Sequence, residues 1–297
     1  MTNRRLAIVS RLAPTPSGFL HLGNAVNFVL TWLLTRQAGG TLHLRIDDLD
    51  RARLRRPYLD NIFRVIDWLG IDYDHGPNGP DDFLRHYSQL LHLAAYNTVL
   101  RRLAQQPGLV QASRRSRTRE APETLVTLET PGVAWRAQVP AATAVALTDA
   151  WQGAQTIPLG ALMPDFIIRK KDGLAAYQVA SVVDDVRLGT TLIVRGLDLQ
   201  SSTAAQLWLA GQLAETAAFN TARIQFFHHP LLMDSNGQKL SKSQQQPLET
   251  GILGQAEGKR AVLESVAGLL SLPPAAAESL DTLQRTMRGV ELWQGLR

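Results

Sequence analysis

The chain has 297 residues, of which 45% are hydrophobic and 19% charged, with a formal charge of +5. This length and apolar content suit one large domain or two modest ones around a substantial core, and exclude a disordered or low-complexity chain. There is no cysteine, so disulfides, cysteine–zinc sites and thiol catalysis are excluded. That composition fits a reducing, cytoplasmic setting. The apolar run near the start is too short for a secretory signal, and no stretch approaches a membrane span. The basic excess favours nucleic acid or another polyanion as partner, or is simply a solvated basic surface.

Leu6 to Leu12 is apolar and β-branched and ends at the turn-rich PTPSG, which reads as a buried strand and a loop. A helix follows from about His21 to Gln37, with Leu22, Val26, Val29 and Leu33 at helical spacing and Gly39-Gly40 closing it. Thr41 to Asp47 alternates like a strand. Pro57 then opens a helix that carries Ile62, Phe63, Ile66 and Leu69 on one face and stops at Gly70. Strand–helix alternation of this kind argues for a parallel sheet with crossover helices.

A third helix is expected over Phe83 to Leu103. Residues 105–160 change character, with a basic run, RRSRTR, and short alternating pieces such as VAWRAQV, and read as an inserted strand-rich subdomain. The α/β pattern returns with FIIRKKDGLAAYQVASVVDD, where KKDG marks a hairpin turn and Tyr177, on a purely structural account, is a core aromatic on a strand. TLIVRG is the next strand, Asp198 to Leu213 a helix that Asp198 is expected to cap, and Ile224 to His228 a short strand. Beyond Leu248 the chain is rich in alanine and leucine and reads as helical. No internal repeat is visible.

Two segments carry chemistry. In SRLAPTPSGFLHLGNA a strand delivers a Pro/Gly loop to a helix N-terminus, where free N–H groups and the positive dipole end suit phosphate. Gly18 and Gly23 allow close approach to the backbone, and His21 can donate to a phosphate oxygen. Alone, the triplet His21-Leu22-Gly23 is also a tight turn with a surface histidine. In DSNGQKLSKS, Lys239 and Lys242 stand on a short loop after an Asn-Gly turn, suited to charge on a leaving pyrophosphate. Alone, that is an exposed lysine loop. His228 and His229 are adjacent on one strand and point to opposite faces, so they are not a metal pair; one is expected near an adenine ring.

Together the two segments resemble the ATP signatures of class I aminoacyl-tRNA synthetases. RLAPTPSGFLHLG, LHLRIDDLD, LAAYQVASVVDD, LIVRG and HHPLLMDSNGQKLSKS are similar, in order, to the glutamyl-tRNA synthetase catalytic core. About fifty residues follow Ser243, which are expected to be too few for an anticodon-binding domain. A stand-alone core of this length resembles the glutamyl-queuosine tRNA(Asp) synthetases, which attach glutamate to queuosine in the tRNA(Asp) anticodon.

The resemblance implies an α/β fold: a Rossmann-like parallel sheet with a small inserted α+β subdomain and a helical C-terminal segment. The expected division is 1–104 and 165–229 for the two halves of the catalytic domain, 105–164 for the insertion and 230–297 for the KLSKS loop and C-terminal helices. It implies ATP with Mg²⁺ at Gly18, His21, Gly23, Asn24, Lys239, Leu240, Ser241 and Lys242, with His21, Lys239 and Lys242 catalytic. It implies that Arg11 holds a carboxylate of L-glutamate, that Thr15 hydrogen-bonds the substrate, and that Tyr177 and Arg195 complete the pocket. Asp47 falls where the family has the glutamate that meets the α-amino group, with a side chain one methylene shorter. Asp184 and Asp185 are expected to stabilise the site or position ribose. Where many relatives carry a cysteine-containing zinc knuckle this chain has LVQASRRSR, so zinc is not expected. RRSRTR is either a grip on a tRNA backbone or a solvated loop. The expected partner is tRNA, tRNA(Asp) in particular, bound by a monomer. A truncated paralogue charging a tRNA 3′ end or other acceptor and a non-enzymatic tRNA-binding relic are the alternatives; intact signature loops speak against the relic.

Overall fold

The computed structural model describes residues 7–114, 124–232 and 251–288. Lys239, Leu240, Ser241 and Lys242, and the RRSRTR run beyond Arg114, lie outside the described residues.

The first strand, β1 (Val9–Leu12), leads through the Pro/Gly loop into α1 (Leu22–Gln37), which returns to β2 (Thr41–Leu44). Helix α1 is buried nearly all round from Ala25 to Thr35, as a central crossover helix must be. Its return is tight: a Cβ on Gly40 would lie 2.7 Å from the Ile8 carbonyl oxygen, so only glycine fits there. β1 and β2 pair in parallel, and the pairing continues past Leu44 through Arg45 N–H to Leu12 O and Asp47 N–H to Pro14 O, both 2.9 Å. The strand character expected up to Asp47 is therefore carried by backbone bonds beyond the regular strand. Helix α2 (Arg56–Leu69) buries Leu59, Ile62, Val65, Ile66 and Leu69 and ends at Gly70.

The single helix expected over 83–103 is instead broken. Pro80–Asp82 forms one α-turn, Phe83–Tyr87 a π-turn and Gln89–His92 a 3₁₀ turn before α3 (Leu93–Ala104). The cause is Ser88, whose extended backbone (ψ 137°) interrupts the ladder while its hydroxyl accepts the Leu90 N–H and donates to buried Asp48.

Strands β3 (Val110–Arg114), β4 (Thr124–Val126) and β5 (Ala134–Gln138) form an antiparallel sheet that β8 (Asp165–Arg169) completes in the order β4-β3-β5-β8. Between them, β6 (Val145–Asp149) and β7 (Gly153–Ile157) form a hairpin that joins the other sheet. The linear division at 105–164 therefore does not follow the sheets. The KKDG segment is the hairpin turn expected, closed by Lys170 N–H to Leu174 O at 2.8 Å.

Two expectations fail in the next stretch. Tyr177 opens a helix, α4 (Tyr177–Arg187), rather than sitting in a strand, and Asp184 and Asp185 lie inside the same helix. The run AAYQVASVVDD buries residues on adjacent turns, and its β-branched valines gave a strand-like appearance that helix packing overrides. Strand β9 (Leu192–Gly196) follows, then α5 (Gln200–Ala210) and β10 (Gln225–His229). The residue at the N-cap of α5 is Leu199; Asp198 sits in the preceding 3₁₀ turn with its carboxylate over Gly196, and does not hold the expected cap position.

β9 and β10 pair in parallel, and β10 meets β6 at Phe226 and Asp149. β9 also lies against β1 through Thr191 N–H to Val9 O and Val9 N–H to Thr191 Oγ1, each 2.8 Å. The spatial order is thus β2-β1-β9-β10-β6-β7. Alternate residues of β9 and β10 enter opposite cores: Leu192, Val194 and Phe227 pack with α1, Ile193 and Phe226 with α3, α4 and α5. The C-terminal helices α6 (Gly258–Leu269) and α7 (Leu280–Met287) close the α1 side with Val262, Val266 and Leu283.

Candidate active site

From β1 the chain leaves toward β2 on one side, and from β9 toward β10 on the other. Such a reversal opens a crevice at the carboxyl ends of the two strands. A cavity of about 460 Å³ lies there, lined by the loop after β1, the start of α1, the ends of β9 and β10, and Tyr177.

One end of the cavity faces the N-terminus of α1. His21 occupies the N-cap position with extended backbone (φ −114°, ψ 175°), and its N–H donates to Asn24 Oδ1 at 3.1 Å. A Cβ on Gly23 would lie 3.2 Å from the His21 ring, so glycine there leaves room for the imidazole. Gly18 has open space on its Cβ side. Leu20 N–H donates to Asn61 Oδ1 of α2 at 2.9 Å, which ties down the loop. His229 faces this end too. Its Nδ1 lies 2.8 Å from the Pro230 carbonyl, which can only accept, so Nδ1 carries the proton and Nε2 accepts from Asn27 Nδ2 at 3.3 Å. Burial holds the His229 pKa below the ordinary imidazole value, which keeps the ring neutral.

The other end is charged. Arg11 Nε and Arg45 Nη1 both donate to Asp185 Oδ1 at 2.8 Å. Arg45 also clasps Asp47, Nε to Oδ1 at 2.7 Å and Nη2 to Oδ2 at 3.2 Å. Arg195 donates through Nη1 to Gln206 Oε1 (2.7 Å) and Thr203 Oγ1 (3.0 Å), while its Nη2 stands 3.9 Å from Asp185 Oδ2. All three arginines and Asp185 are buried. Burial pushes the Asp185 carboxyl up, but Arg11, Arg45 and Arg195 outweigh it and hold it at about 2. Burial also raises Asp47, against Arg45, and Asp184 and Asp185 nearby push it further above the usual carboxylate range. Burial disfavours the charge on Arg195 and lowers its pKa. Buried Asp184 stands behind this set and is paired with Arg187 Nη2 at 3.4 Å, so four guanidiniums meet three carboxylates, leaving one positive charge in excess at the wall. Among the described residues Arg11 Nη1 and Nη2 make no hydrogen bond, and Arg11 lines the cavity.

A second layer holds this set. Asp184 accepts from Tyr96 Oη (2.9 Å) and Gln89 Nε2 (2.8 Å). Asp48 accepts from Ser88 Oγ (2.6 Å) and the Gln89 N–H (2.8 Å). The broken segment before α3 thereby fixes the RIDD strand.

Arg11, Thr15, Gly18, His21, Gly23, Asn24, Asp47, Tyr177 and Arg195, singled out in the sequence, all line this one cavity. Sequence reasoning missed Arg45, Gln89, Tyr96, Thr203, Gln206 and Asp149. Arg45 had a readable signal, because it sits two residues before Asp47 on the same face of an extended segment. Gln89, Tyr96 and Asp149 come from distant elements and carry no local signal. Among the described residues, no group of three or more histidines and carboxylates is arranged to hold a metal ion.

This crevice, with a helix N-terminus at one end and an arginine-rich wall at the other, belongs to a known family. Residues 7–293 match the family described as tRNA synthetases class I (E and Q), catalytic domain. The chain belongs to that family and is a ligase of the aminoacyl-tRNA synthetase class. It is 38% identical over 273 residues to the glutamyl-Q tRNA(Asp) synthetase of Nitratidesulfovibrio vulgaris, covering 80% of this chain and 78% of that one. It is 36% identical over 296 residues to the protein of the same name from Burkholderia mallei, covering 92% of each. In fold it is similar to the glutamate-tRNA synthetase of Elizabethkingia anophelis (TM-score 0.65, 20% identity, 80% of this chain and 53% of that one). It is also similar to a glutamate tRNA ligase from Elizabethkingia meningosepticum in complex with its amino acid (TM-score 0.70, 19% identity, 97% and 65%). The chain thus spans between half and two-thirds of those two solved chains. No helix among the described residues is long and apolar enough to cross a membrane.

Proposed function

We propose that this ligase activates L-glutamate with ATP and passes the glutamyl group to queuosine in the anticodon of tRNA(Asp). The observation that carries the choice of amino acid is the single positive charge in excess at the buried wall. The α-amino and α-carboxylate groups of an amino acid cancel, so only a side-chain carboxylate supplies the matching negative charge. Glutamine would leave a buried guanidinium uncompensated, which is costly.

In this reading Arg11 and Arg195 hold a carboxylate through guanidinium forks, Asp47 meets the α-amino group, and Thr15 and Tyr177 border the substrate. The glutamate α-carboxylate attacks the α-phosphorus of ATP; the bond to the β-phosphate oxygen breaks, giving glutamyl-adenylate and pyrophosphate. Gly18, Gly23 and Asn24 shape the phosphate end, and His21 with the α1 N-terminus stabilises charge there. Lys239 and Lys242, with Leu240 and Ser241 between them in the sequence, are assigned to the charge on the leaving pyrophosphate. Mg²⁺ would be carried chiefly by the phosphates and would offset their charge at this end of the cavity. A hydroxyl of the acceptor then attacks the acyl carbon and releases AMP. The acceptor assignment is supported by the name shared by the curated relatives.

The test is pyrophosphate exchange followed by charging. Glutamate-dependent ATP–pyrophosphate exchange without tRNA is expected, as is transfer to tRNA(Asp) bearing queuosine but not to tRNA(Asp) lacking it. Exchange with no amino acid would overturn the enzymatic reading, and transfer to a tRNA 3′ end would overturn the acceptor. Lys242→Ala should slow adenylate formation far more than it weakens glutamate binding.

A further inference from the structure

Arg195 is held from behind by a chain that begins on the β6–β7 hairpin, far from the signature motifs. Asp149, at the end of β6, is saturated with donors: Trp151 N–H (2.9 Å) and Gln152 N–H (2.8 Å) to Oδ1, His228 N–H (3.0 Å) and His228 Nδ1 (2.6 Å) to Oδ2. His228 Nε2 lies 2.8 Å from Thr203 Oγ1, and Thr203 Oγ1 accepts from Arg195 Nη1 at 3.0 Å. Asp149, His228, Thr203 and Arg195 are all buried.

The protons can be placed by elimination. Asp149 is held in its ionised form, since the hydrogen bonds from His228, Gln152 and Trp151 outweigh burial. A carboxylate only accepts, so His228 Nδ1 carries a proton. In the neutral ring Nε2 then accepts, the Thr203 hydroxyl donates to it, and the Thr203 lone pairs turn to Arg195. In the imidazolium form Nε2–H would donate instead, and Thr203 would turn its proton to Leu199 O, 3.1 Å away. In both states Thr203 presents oxygen to the guanidinium. The order carboxylate–imidazole–hydroxyl is that of a nucleophile chain, but Thr203 is 0% exposed and meets no substrate.

We propose that Asp149, His228 and Thr203 are positioning residues for amino-acid recognition, a buried chain that fixes the Arg195 guanidinium on the wall of the substrate pocket. It deepens, and rests on, the reading that this pocket takes glutamate. The chain explains how an arginine with only a distant carboxylate, Asp185 Oδ2 at 3.9 Å, keeps one orientation: its second support is hydroxyl and amide oxygen. It also makes the hairpin from the 105–164 segment a support behind the amino-acid pocket, although none of its residues lines the cavity.

The test uses Thr203→Val, which keeps shape and removes the hydroxyl, and Thr203→Ser, which keeps the hydroxyl. In ATP–pyrophosphate exchange Thr203→Val should raise KM for glutamate roughly ten- to a hundredfold, as loss of a hydrogen bond to a charged group does. KM for ATP should stay unchanged, and Thr203→Ser should restore KM for glutamate. Asp149→Asn should shift KM in the same direction by less; if it fails to fold, the Thr203 pair decides. Unchanged KM in Thr203→Val, an equal rise in KM for ATP, or a Thr203→Ser variant as impaired as Thr203→Val would overturn the proposal. Absence of exchange by the wild-type protein would overturn the glutamate reading instead. The chain is then judged by ¹⁵N spectra of the arginine side chains. Separate Arg195 Nη signals that merge in Thr203→Val and return in Thr203→Ser support it. Identical spectra in all three refute it.

Discussion

Two arginine–aspartate clusters flank the strand pair β1–β2, and they differ in charge balance and burial. At the end of α1, Arg36 bridges Asp72 (2.8 Å) and Asp74 (2.7 Å), whose side chains are 70% and 39% exposed. At the carboxyl end of β1, Arg11, Arg45 and Arg195 surround Asp47 and Asp185, nearly all of them out of solvent. The first cluster has more carboxylates than guanidiniums, and water supplies the remainder at little cost. The second has a guanidinium too many and only a cavity to supply its partner. Buried charge without a partner is expensive, so a surplus facing a cavity marks a ligand of opposite charge, whereas an exposed pair marks scaffold.

The contrast can be broken by substitution. Asp185→Asn leaves the Arg11, Arg45 and Arg195 charges buried together and should cost about 3–5 kcal/mol of stability, read from the urea midpoint. Retention of the wild-type midpoint would mean water reaches the cluster. Arg11→Ala should lower kcat/KM for glutamate by roughly a hundredfold or more while sparing KM for ATP, because it removes the fork without leaving a new cation buried.

Acid sharpens the contrast further. Asp185 is at about 2 in the folded protein against an ordinary 3.8, so the unfolded chain binds the proton first as pH falls. Its contribution, of order 2 kcal/mol, is present above about pH 4 and is lost toward pH 2. Asp185→Asn should flatten that part of the stability–pH curve. On the proposed role of Asp47 toward the α-amino group, Asp47→Asn should raise KM for glutamate roughly tenfold. Arg36→Ala should change stability by less than about 1 kcal/mol and leave exchange kinetics untouched. A large loss of activity there would remove the distinction between the clusters.

Much of the site was legible because its loops are local in sequence. Loop–helix residues from Thr15 to Asn24 need only a strand, a turn and a helix start to converge, and glycine and proline mark that turn. Asp198 was misread because a carboxylate just before a helical run looks the same whether it caps the helix or faces a cavity. The helix over 83–103 was misread because its apolar spacing continues through Ser88, whereas the hydrogen bonds that break it go to Asp48, forty residues away. Tyr177 was misplaced because a short β-branched run has no periodicity that separates strand from buried helix.

The sequence by itself determined the alternating α/β order and the two signature segments, and the family resemblance they carry named Arg11, Asp47 and Arg195 as candidates for one pocket. These are set by turn chemistry, periodicity and motif order, which act over a few residues. Only the tertiary structure decided that Arg11 and Arg45 share Asp185, across 174 and 140 positions, and that Asp149 reaches Arg195 through His228 and Thr203. Charge balance and proton direction are properties of what surrounds a group, and those surroundings exist only once distant strands lie side by side.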